Sequence, residues 1–508
     1  MESPKKGISR RTFLEGVAAA SGLAVVPRSV LGGPGYVAPS DRLNIAQIGC
    51  GTQALRQFNA GIMTRDDIQV TSVTDPNADS QDYVDWSHMG TTRRIRALLE
   101  DDSWAEGDTG TRGGREYAKR VIETYYGKTN RSGTSNGVRA YADFREMLAS
   151  EDEADAVVII VPDHLHAHIS TAAMKAGKGV IMHKPIGLSP HEVRRVLETE
   201  EETGAVTHLL AYGSAIPEDH ARLESWLKGG MIGPVREVHN WTNRPVWPQG
   251  WSDYPHEEAS IPNGLDWDLW QGPIPNQPYH PLLTHTLYRG WYNYGAGCLG
   301  DMGNYSLWQP HRILDLDPPN MVEAYTSKSV ILTPENTCRS SDASPVAYPN
   351  ASQIHFRFPA KGDRPEVDLY WYSGAMKPQT PRELIDDGET LPGEGMLFVG
   401  DYGKILCQFR GHNPRLLPES RMRAMGVGEQ EDSDIDQDDE WTEAVRTGME
   451  SRGSFSNAAS LAETTTLGIV ALRHPGQRLY WDSDNMGFTN NDSANELVRR
   501  EYRNGWEL

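Results

Sequence analysis

Between residues 41 and 212 the sequence keeps returning to one unit, a short run of apolar and β-branched residues followed by a stretch long enough for a helix. The runs read LNIAQIG, IQVTSVTD, ADAVVIIVP, GVIMHKP and AVTHLLAY. Strands this apolar are buried on both faces, and connections this long suit crossover helices, so the pattern predicts β-α-β units around a parallel sheet. Residues 89–137 break the rhythm with glycines and charge. One helix is expected there, over GGREYAKRVIETYYG, and the remainder reads as an insertion.

Beyond residue 232 the segments lengthen and alternate, as in VREVHNW, MVEAYTS, SQIHFRF and EVDLYWYS. These predict the antiparallel strands of a second, sheet-based domain. The chain of 508 residues thus divides into a leader and linker (1–40), a first domain (41–212), a second (213–475) and a helical C-terminal segment packing back (476–508). A net charge of −21 leaves no basic excess to displace counterions, which argues against nucleic acid or an anionic membrane surface as partner and fits a neutral or small ligand.

Gly49-Cys50-Gly51-Thr52-Gln53-Ala54 follows the first strand and opens a helix, giving G-x-G-x-x-A. Glycines there let backbone N–H groups approach a pyrophosphate at a helix N-terminus. Asp75 ends the second strand, where a carboxylate accepts from ribose hydroxyls and repels a 2′-phosphate. The pair predicts a dinucleotide site that takes NAD rather than NADP, with Gly49, Gly51, Thr52, Gln53 and Asp75 in contact.

The first residues carry Lys5, Lys6, Arg10 and Arg11 ahead of a short apolar run, the layout of an export signal. Ser9-Arg10-Arg11-Thr12-Phe13-Leu14 resembles the twin-arginine signal, whose translocon carries folded proteins. The apolar run from Gly16 to Val26 is too short for a stable membrane anchor, so a periplasmic protein is expected. Four cysteines make neither a disulfide framework nor a zinc pattern. The acidic residues around 432–443 are spaced somewhat like a calcium loop, but Gln437 stands where that loop needs glycine, and no metal is expected.

Three further segments resemble the Gfo/Idh/MocA family of sugar and cyclitol oxidoreductases. Val161-Pro162-Asp163-His164-Leu165-His166 is similar to the loop covering the cofactor, His183-Lys184-Pro185 to the family's Glu-Lys-Pro motif, and Gly300-Asp301-Met302-Gly303-Asn304-Tyr305 to the segment supplying the remaining catalytic side chains. The resemblance spans nearly all of residues 41–508. It implies an α/β fold class, a Rossmann domain followed by an α/β domain with an open, mostly antiparallel sheet facing the nicotinamide. It also implies cofactor contacts from Pro162, Asp163, His166, His183 and Lys184, and a homo-oligomer. Where Tyr305 stands most members have His, while the glucose–fructose oxidoreductase branch has Tyr.

Hydride transfer from a carbinol needs a base for the hydroxyl proton. Tyr305 is the expected base, Lys184 polarises the developing alkoxide, and Asp301 orients either partner. An i,i+4 spacing on a helix puts Asp301 and Tyr305 on one face, although a cap and a packed core tyrosine account for the same residues. Seven of the fourteen tryptophans lie between 241 and 308, just ahead of or within this segment, and such rings stack on pyranose faces. Substrate contacts are expected from Arg289, Trp291, Asn293, His285 and His311.

The leading reading is an exported NAD-dependent oxidoreductase acting on a carbohydrate hydroxyl with tightly held cofactor. A second is a redox-neutral glycosidase that oxidises the sugar transiently and eliminates its substituent, with Tyr305, His285 or His311 as the extra base. A third is a non-catalytic sugar- or nucleotide-binding protein.

Overall fold

The structure is a computed structural model that describes residues 37–508 apart from 130–136, 213–216, 258, 334, 342–343 and 425–439. The twin-arginine stretch and residues 432–438 of the acidic run lie outside the described residues.

The apolar runs form β1 (Leu43–Ile48), β2 (Ile68–Thr74), β6 (Ala156–Ile159), β7 (Gly179–Met182) and β8 (Thr207–Leu209); between β2 and β6 come β3 (Ser80–Tyr83), β4 (Thr111–Gly113) and β5 (Arg139–Tyr141). The main sheet runs β5-β2-β1-β6-β7-β8 with every neighbour parallel. Chain order reverses beside β1, so a crevice opens beyond the C-terminal ends of β1 and β6, where α/β sheets take ligands.

The helix Arg115–Lys128, expected inside the insertion, is the regular crossover between β2 and β5. Parallel strands require such a crossover. Its Tyr126 hydroxyl accepts from the Val70 N–H at 2.8 Å, and Val121 and Ile122 are buried with the sheet's outer core. The added material is therefore the segment before it, in which β3 and β4 pair antiparallel and the helix Gly90–Leu99 packs alongside. It hooks onto the second domain's aromatic loop: Ala78 donates to the Gly264 carbonyl at 2.8 Å, and Asp266 to that of Pro76 at 3.0 Å.

The second domain is built on β9 (Val235–Trp241), β10 (Met321–Thr326), β13 (Ser352–Phe358), β14 (Val367–Ser373), β15 (Gly395–Gly400), β16 (Gly403–Cys407), β17 (Arg415–Leu417), β18 (Arg478–Asp482) and β19 (Gly487–Phe488); β11 (Ser329–Leu332) and β12 (Cys338–Ser341) form a separate hairpin. The nine strands order as β17-β16-β15-β9-β14-β13-β10-β18-β19. Only β9 and β14 are parallel; the sheet is otherwise antiparallel. Period-two burial along SQIHFRF sets one face against helices.

The helix Phe455–Leu472 joins the two sheets. The Ser454 hydroxyl caps it by accepting from the Asn457 N–H, and its buried side touches β10 and β13 on one side and the helix Pro190–Thr203 on the other. One hydrophobic core consequently runs from Ile159 and Met182 through Leu461 and Leu467 to Ile354 and Phe356.

The C-terminal segment departs from expectation. Only Asp492–Asn495 is helical. Residues 478–488 add strands to the second sheet, and the last stretch runs irregularly along the first domain, with the Tyr502 hydroxyl donating to Glu192 at 3.2 Å and Trp506 against Phe144. Its buried anchors are Val498 and Trp506. None of the four cysteines is bridged. Among the described residues no helix is long and apolar enough to cross a membrane.

Gly468, inside the joining helix, sits where an added Cβ would lie 2.3 Å from Leu299 and 2.9 Å from Phe356. Gly468→Val should therefore cost about 1–3 kcal/mol despite valine's better helix propensity. The denaturation midpoint should fall; no change would mean the contact yields freely.

Burial pushes His166, His168, His208, His220 and His311 down to about 4. Unfolded imidazoles titrate near ~6.5. As pH falls from about 6.5 toward 4, the unfolded chain takes up protons that the folded chain refuses, and stability drops. Thermal melts between about pH 7 and pH 5 should show a falling Tm with net proton uptake on unfolding; a Tm that stays flat contradicts this burial.

Candidate active site

The cleft begins at the glycine turn. Gly49 has φ +96°, and a Cβ there would lie 2.0 Å from the Ile160 carbonyl oxygen, so the close passage of the turn over the end of β6 admits only glycine. Asp75 closes the turn: its carboxylate accepts from the Cys50 N–H at 2.7 Å and from the Asn77 N–H at 2.8 Å. Burial raises the Asp75 pKa, against the pull of those two donors. Thr52 donates to the Val84 carbonyl at 3.0 Å, tying the helix start to the inserted segment. Gln53 donates to Gln57.

A cavity extends from Gly49, Gly51, Thr52, Gln53 and Asp75 past Pro162 to His183 and Arg289. A fixed glycine turn, a carboxylate at the end of β2 and first-turn N–H groups that no helix carbonyl can take fit a dinucleotide. Arg115 reaches the Asp75 main-chain carbonyl at 3.0 Å, a proximity hidden by their separation of forty positions.

The cofactor-loop residues brace the cleft. Asp163 accepts from the Tyr288 hydroxyl at 3.1 Å and from the Ala296 N–H at 2.9 Å, which pins the second domain's loop to the first. His166 lies between two carbonyls, of Pro185 at 2.6 Å and Val161 at 3.1 Å, and as a neutral imidazole gives its one N–H to one of them beside the turn after Lys184. His164 lies in the same way between the Trp270 and Tyr294 carbonyls. Among the described residues no group of three or more His, Cys, Asp or Glu side chains is arranged to hold a metal.

Four side chains meet at the inner end. Lys184, emerging from β7 and almost fully buried, forms an ion pair with Asp301. The Tyr305 hydroxyl lies 2.8 Å from His183 Nε2. His183 is driven well below the ordinary imidazole range by burial first and by Lys184 next, so it is neutral and free to accept the phenol's hydrogen bond. Burial would raise the Asp301 pKa, but Lys184 and Arg289 outweigh it and keep the carboxyl ionised. The Lys184 ammonium stands 5.3 Å from the Tyr305 ring centre, and the Arg410 guanidinium covers that ring at 4.1 Å. Arg410 holds this place with φ +64°.

The segment carrying Asp301 and Tyr305 is a wide π turn, Leu299–Gly303, running into Asn304–Ser306. Such turns recur at functional sites. Asp301 is not a cap, because Cys298 holds that position. Tyr305 packs beside the main core yet directs its hydroxyl at His183.

Several expected substrate contacts fall elsewhere. Trp291 is fully buried, stacked on Trp251 at 4.3 Å and donating to the Leu282 carbonyl, so it is loop core rather than a sugar platform. Trp267 and Trp270 likewise stack on each other, and Trp241 is sealed under Pro392. His311 bonds the Leu307 carbonyl and Thr464 inside the second domain's core. The Asn293 carbonyl receives Arg500 of the C-terminal segment. His285 lines the cavity at its cofactor end, where it pairs with Asp82 at 3.3 Å and lies against Tyr83 at 4.0 Å. Arg289 does reach the inner end, 3.6 Å from Asp301. No motif marked Arg410 or Tyr288, which arrive from distant loops.

Residues 114–210 match GFO_IDH_MocA, described as an oxidoreductase family with an NAD-binding Rossmann fold, and residues 224–328 match that family's C-terminal alpha/beta domain. Parts of both domains are thus similar to the Gfo/Idh/MocA family. An uncharacterized oxidoreductase, ORF334 of Rhizobium meliloti, is 31% identical over 27% of this chain and 39% of its own length. Levoglucosan dehydrogenase of Pseudarthrobacter phenanthrenivorans is 27% identical over 22% of this chain and 29% of its own. The chain thus spans well under half the length of these curated relatives. Among solved structures, the WlbA dehydrogenase of Chromobacterium violaceum, in complex with NADH and UDP-GlcNAcA, has the same fold with a TM-score of 0.50 at 13% identity, covering 87% of this chain and 96% of that one. The first domain is accordingly an NAD-binding Rossmann domain.

Gly49→Ala should force the turn off β6 and weaken NAD binding at least tenfold by calorimetry, the strain at that φ alone being on the order of 1–2 kcal/mol. Unchanged affinity would remove the turn from the cofactor site.

Proposed function

We propose that this protein is an NAD-dependent oxidoreductase acting on a carbohydrate hydroxyl, with its cofactor tightly held. The observation that carries the reading is the 2.8 Å contact of Tyr305 with a neutral, buried His183 beside the Lys184–Asp301 pair, at the inner end of the NAD cleft. NAD bound in that cleft supplies the hydride acceptor. As the carbinol C–H bond is broken, Tyr305 takes the hydroxyl proton and passes its own to His183 Nε2. Lys184 donates to the oxygen on which negative charge develops, and Asp301 keeps the ammonium in place. The names of the relatives, among them inositol 2-dehydrogenase of Salmonella and levoglucosan dehydrogenase, support a polyol or sugar as the class of substrate.

Export by the twin-arginine route to the periplasm belongs to this proposal, as does a homo-oligomer. Where no free NAD pool exists, a tightly held cofactor has to be restored within each turnover. The His183–Tyr305 pair favours one alternative on its own account: the relay takes one proton at a time, first from the hydroxyl and, once that proton is released, from the neighbouring C–H. That is the demand of the redox-neutral glycosidase, and His183 replaces His285 and His311 as the companion of Tyr305.

Lys184→Ala should abolish turnover, and Tyr305→Phe should lower kcat by about 10²–10⁴-fold, both with NAD still bound on release and analysis of the nucleotide. Full activity in Lys184→Ala would sink the catalytic assignment, whereas an empty site with no turnover in the wild type would favour the binding protein. Mixed glycosides incubated without added NAD separate the two enzymes, since cleavage selects the glycosidase and a ketosugar the dehydrogenase.

A further inference from the structure

The cavity has one apolar stretch of wall, and three separated parts of the chain build it. Phe144, Leu165 and Ile169 come from the first domain, Leu269 and Trp270 from the aromatic loop, and Trp506 from the C-terminal segment. Trp506 is buried and fixed: the Arg145 guanidinium stands 4.7 Å from its ring centre, and the Phe144 ring lies at 5.9 Å. Arg145 is itself held by Asp143, to which it donates at 2.8 Å. A Cβ on Gly272 would lie 2.3 Å from Leu165 and 3.4 Å from the Trp506 indole, so loop, first domain and C-terminal segment meet here without room to spare.

Two arginines tie the segment across this seam. Arg500 donates to the Asn293 carbonyl at 2.5 Å and to Glu192 at 3.4 Å, and the Val498 carbonyl accepts from the His191 N–H at 3.1 Å. Arg503 donates to the carbonyls of Gly272 and Asp268, both at 2.8 Å, and pairs with the Asp268 carboxylate. Its main-chain N–H reaches the Pro273 carbonyl at 3.0 Å, and its carbonyl accepts from the Trp506 N–H at 3.1 Å. Neither arginine lines the cavity, and Trp506 does.

Hydride transfer requires the nicotinamide beside Lys184 and Tyr305, and a carboxylate at the place of Asp75 serves a ribose, so the apolar stretch is left for the other flat base. We propose that residues 498–508 retain the cofactor: Trp506 closes the wall against the adenine of NAD, and the dinucleotide leaves when the segment lifts from Gly272 and Asp268. Arg503 is then a positioning residue that acts through Trp506. A strap of this kind governs release more than capture. The inference rests on the reading of a tightly held cofactor for its purpose, but not for the contact between Trp506 and the base.

The test uses the full chain. Protein loaded with isotopically labelled NAD is chased with excess unlabelled NAD, and the release rate is read for the wild type, Trp506→Ala, Trp506→Phe and Arg503→Ala, with a thermal melt for each. Trp506→Ala and Arg503→Ala should each release NAD about ten times faster or more, with Trp506→Phe between. Val121→Ala serves as the control, because it opens a void in the outer core of the first domain, which Trp506 does not join. It should lower the melting temperature and leave the release rate within about two-fold of the wild type. A wild-type release rate in either Trp506→Ala or Arg503→Ala overturns the proposal. Equal acceleration in Val121→Ala also overturns it, because release then follows general stability rather than the segment. If Trp506→Ala does not fold, Trp506→Phe carries the same comparison, with a wild-type rate again the overturning result. The rates are compared as ratios, so a wild type that itself sheds NAD within seconds removes the tight-holding reading while the ratio still decides this inference.

Discussion

The buried pair between Lys184 and Asp301 sets the register of everything at the inner end of the cleft. One partner leaves the last turn of a parallel strand in the first domain, the other projects from a wide helical turn in the second. Each brings its neighbour with it: His183 precedes Lys184, and Tyr305 follows Asp301 by four residues. Joining the ions therefore joins the imidazole to the phenol. Because both charges are out of water, losing either partner strands the other at a cost of about 3–5 kcal/mol, so the pair is as much a domain contact as a chemical one.

The same pair decides protonation. An ammonium next to a buried imidazole disfavours a second positive charge, and His183 is neutral for that reason as well as for its burial. A carboxylate in its place would share the charge of Lys184. With histidine there, Asp301 carries that task, while the phenol gains an acceptor in contact with it. Against the Glu-Lys-Pro motif that this stretch resembles, His183 thus exchanges a counter-ion for a neutral hydrogen-bond acceptor.

The parallel sheet, the glycine turn and Asp75 were readable in the chain because local pattern determines them: apolar runs of strand length, a φ that only glycine adopts, a carboxylate at a strand end. Asp301 and Tyr305 were readable as a spacing, but not as contacts, since a four-residue interval says nothing of what lies across the cleft. Arg410, Tyr288 and the Tyr305–His183 contact depend on loops brought together by tertiary packing, and no local period encodes them. The tryptophans misled for a related reason. Aromatic density marks buried area as readily as a sugar platform, and Trp251, Trp267, Trp270 and Trp291 mostly stack on one another. The crossover helix was assigned to the insertion because the added hairpin just before it obscured the β-α-β rhythm.

The core that passes without a break from one sheet through the helix Phe455–Leu472 to the other has a mechanical meaning. Two domains that share their interior cannot swing apart as rigid halves, because a hinge opening would have to split the packing of the helix Phe455–Leu472 on the helix Pro190–Thr203. The molecule is built less like a pair of jaws than like a single vessel, its inserted hairpin fastened to the aromatic loop of the other domain by the main-chain hydrogen bonds of Ala78 and Asp266.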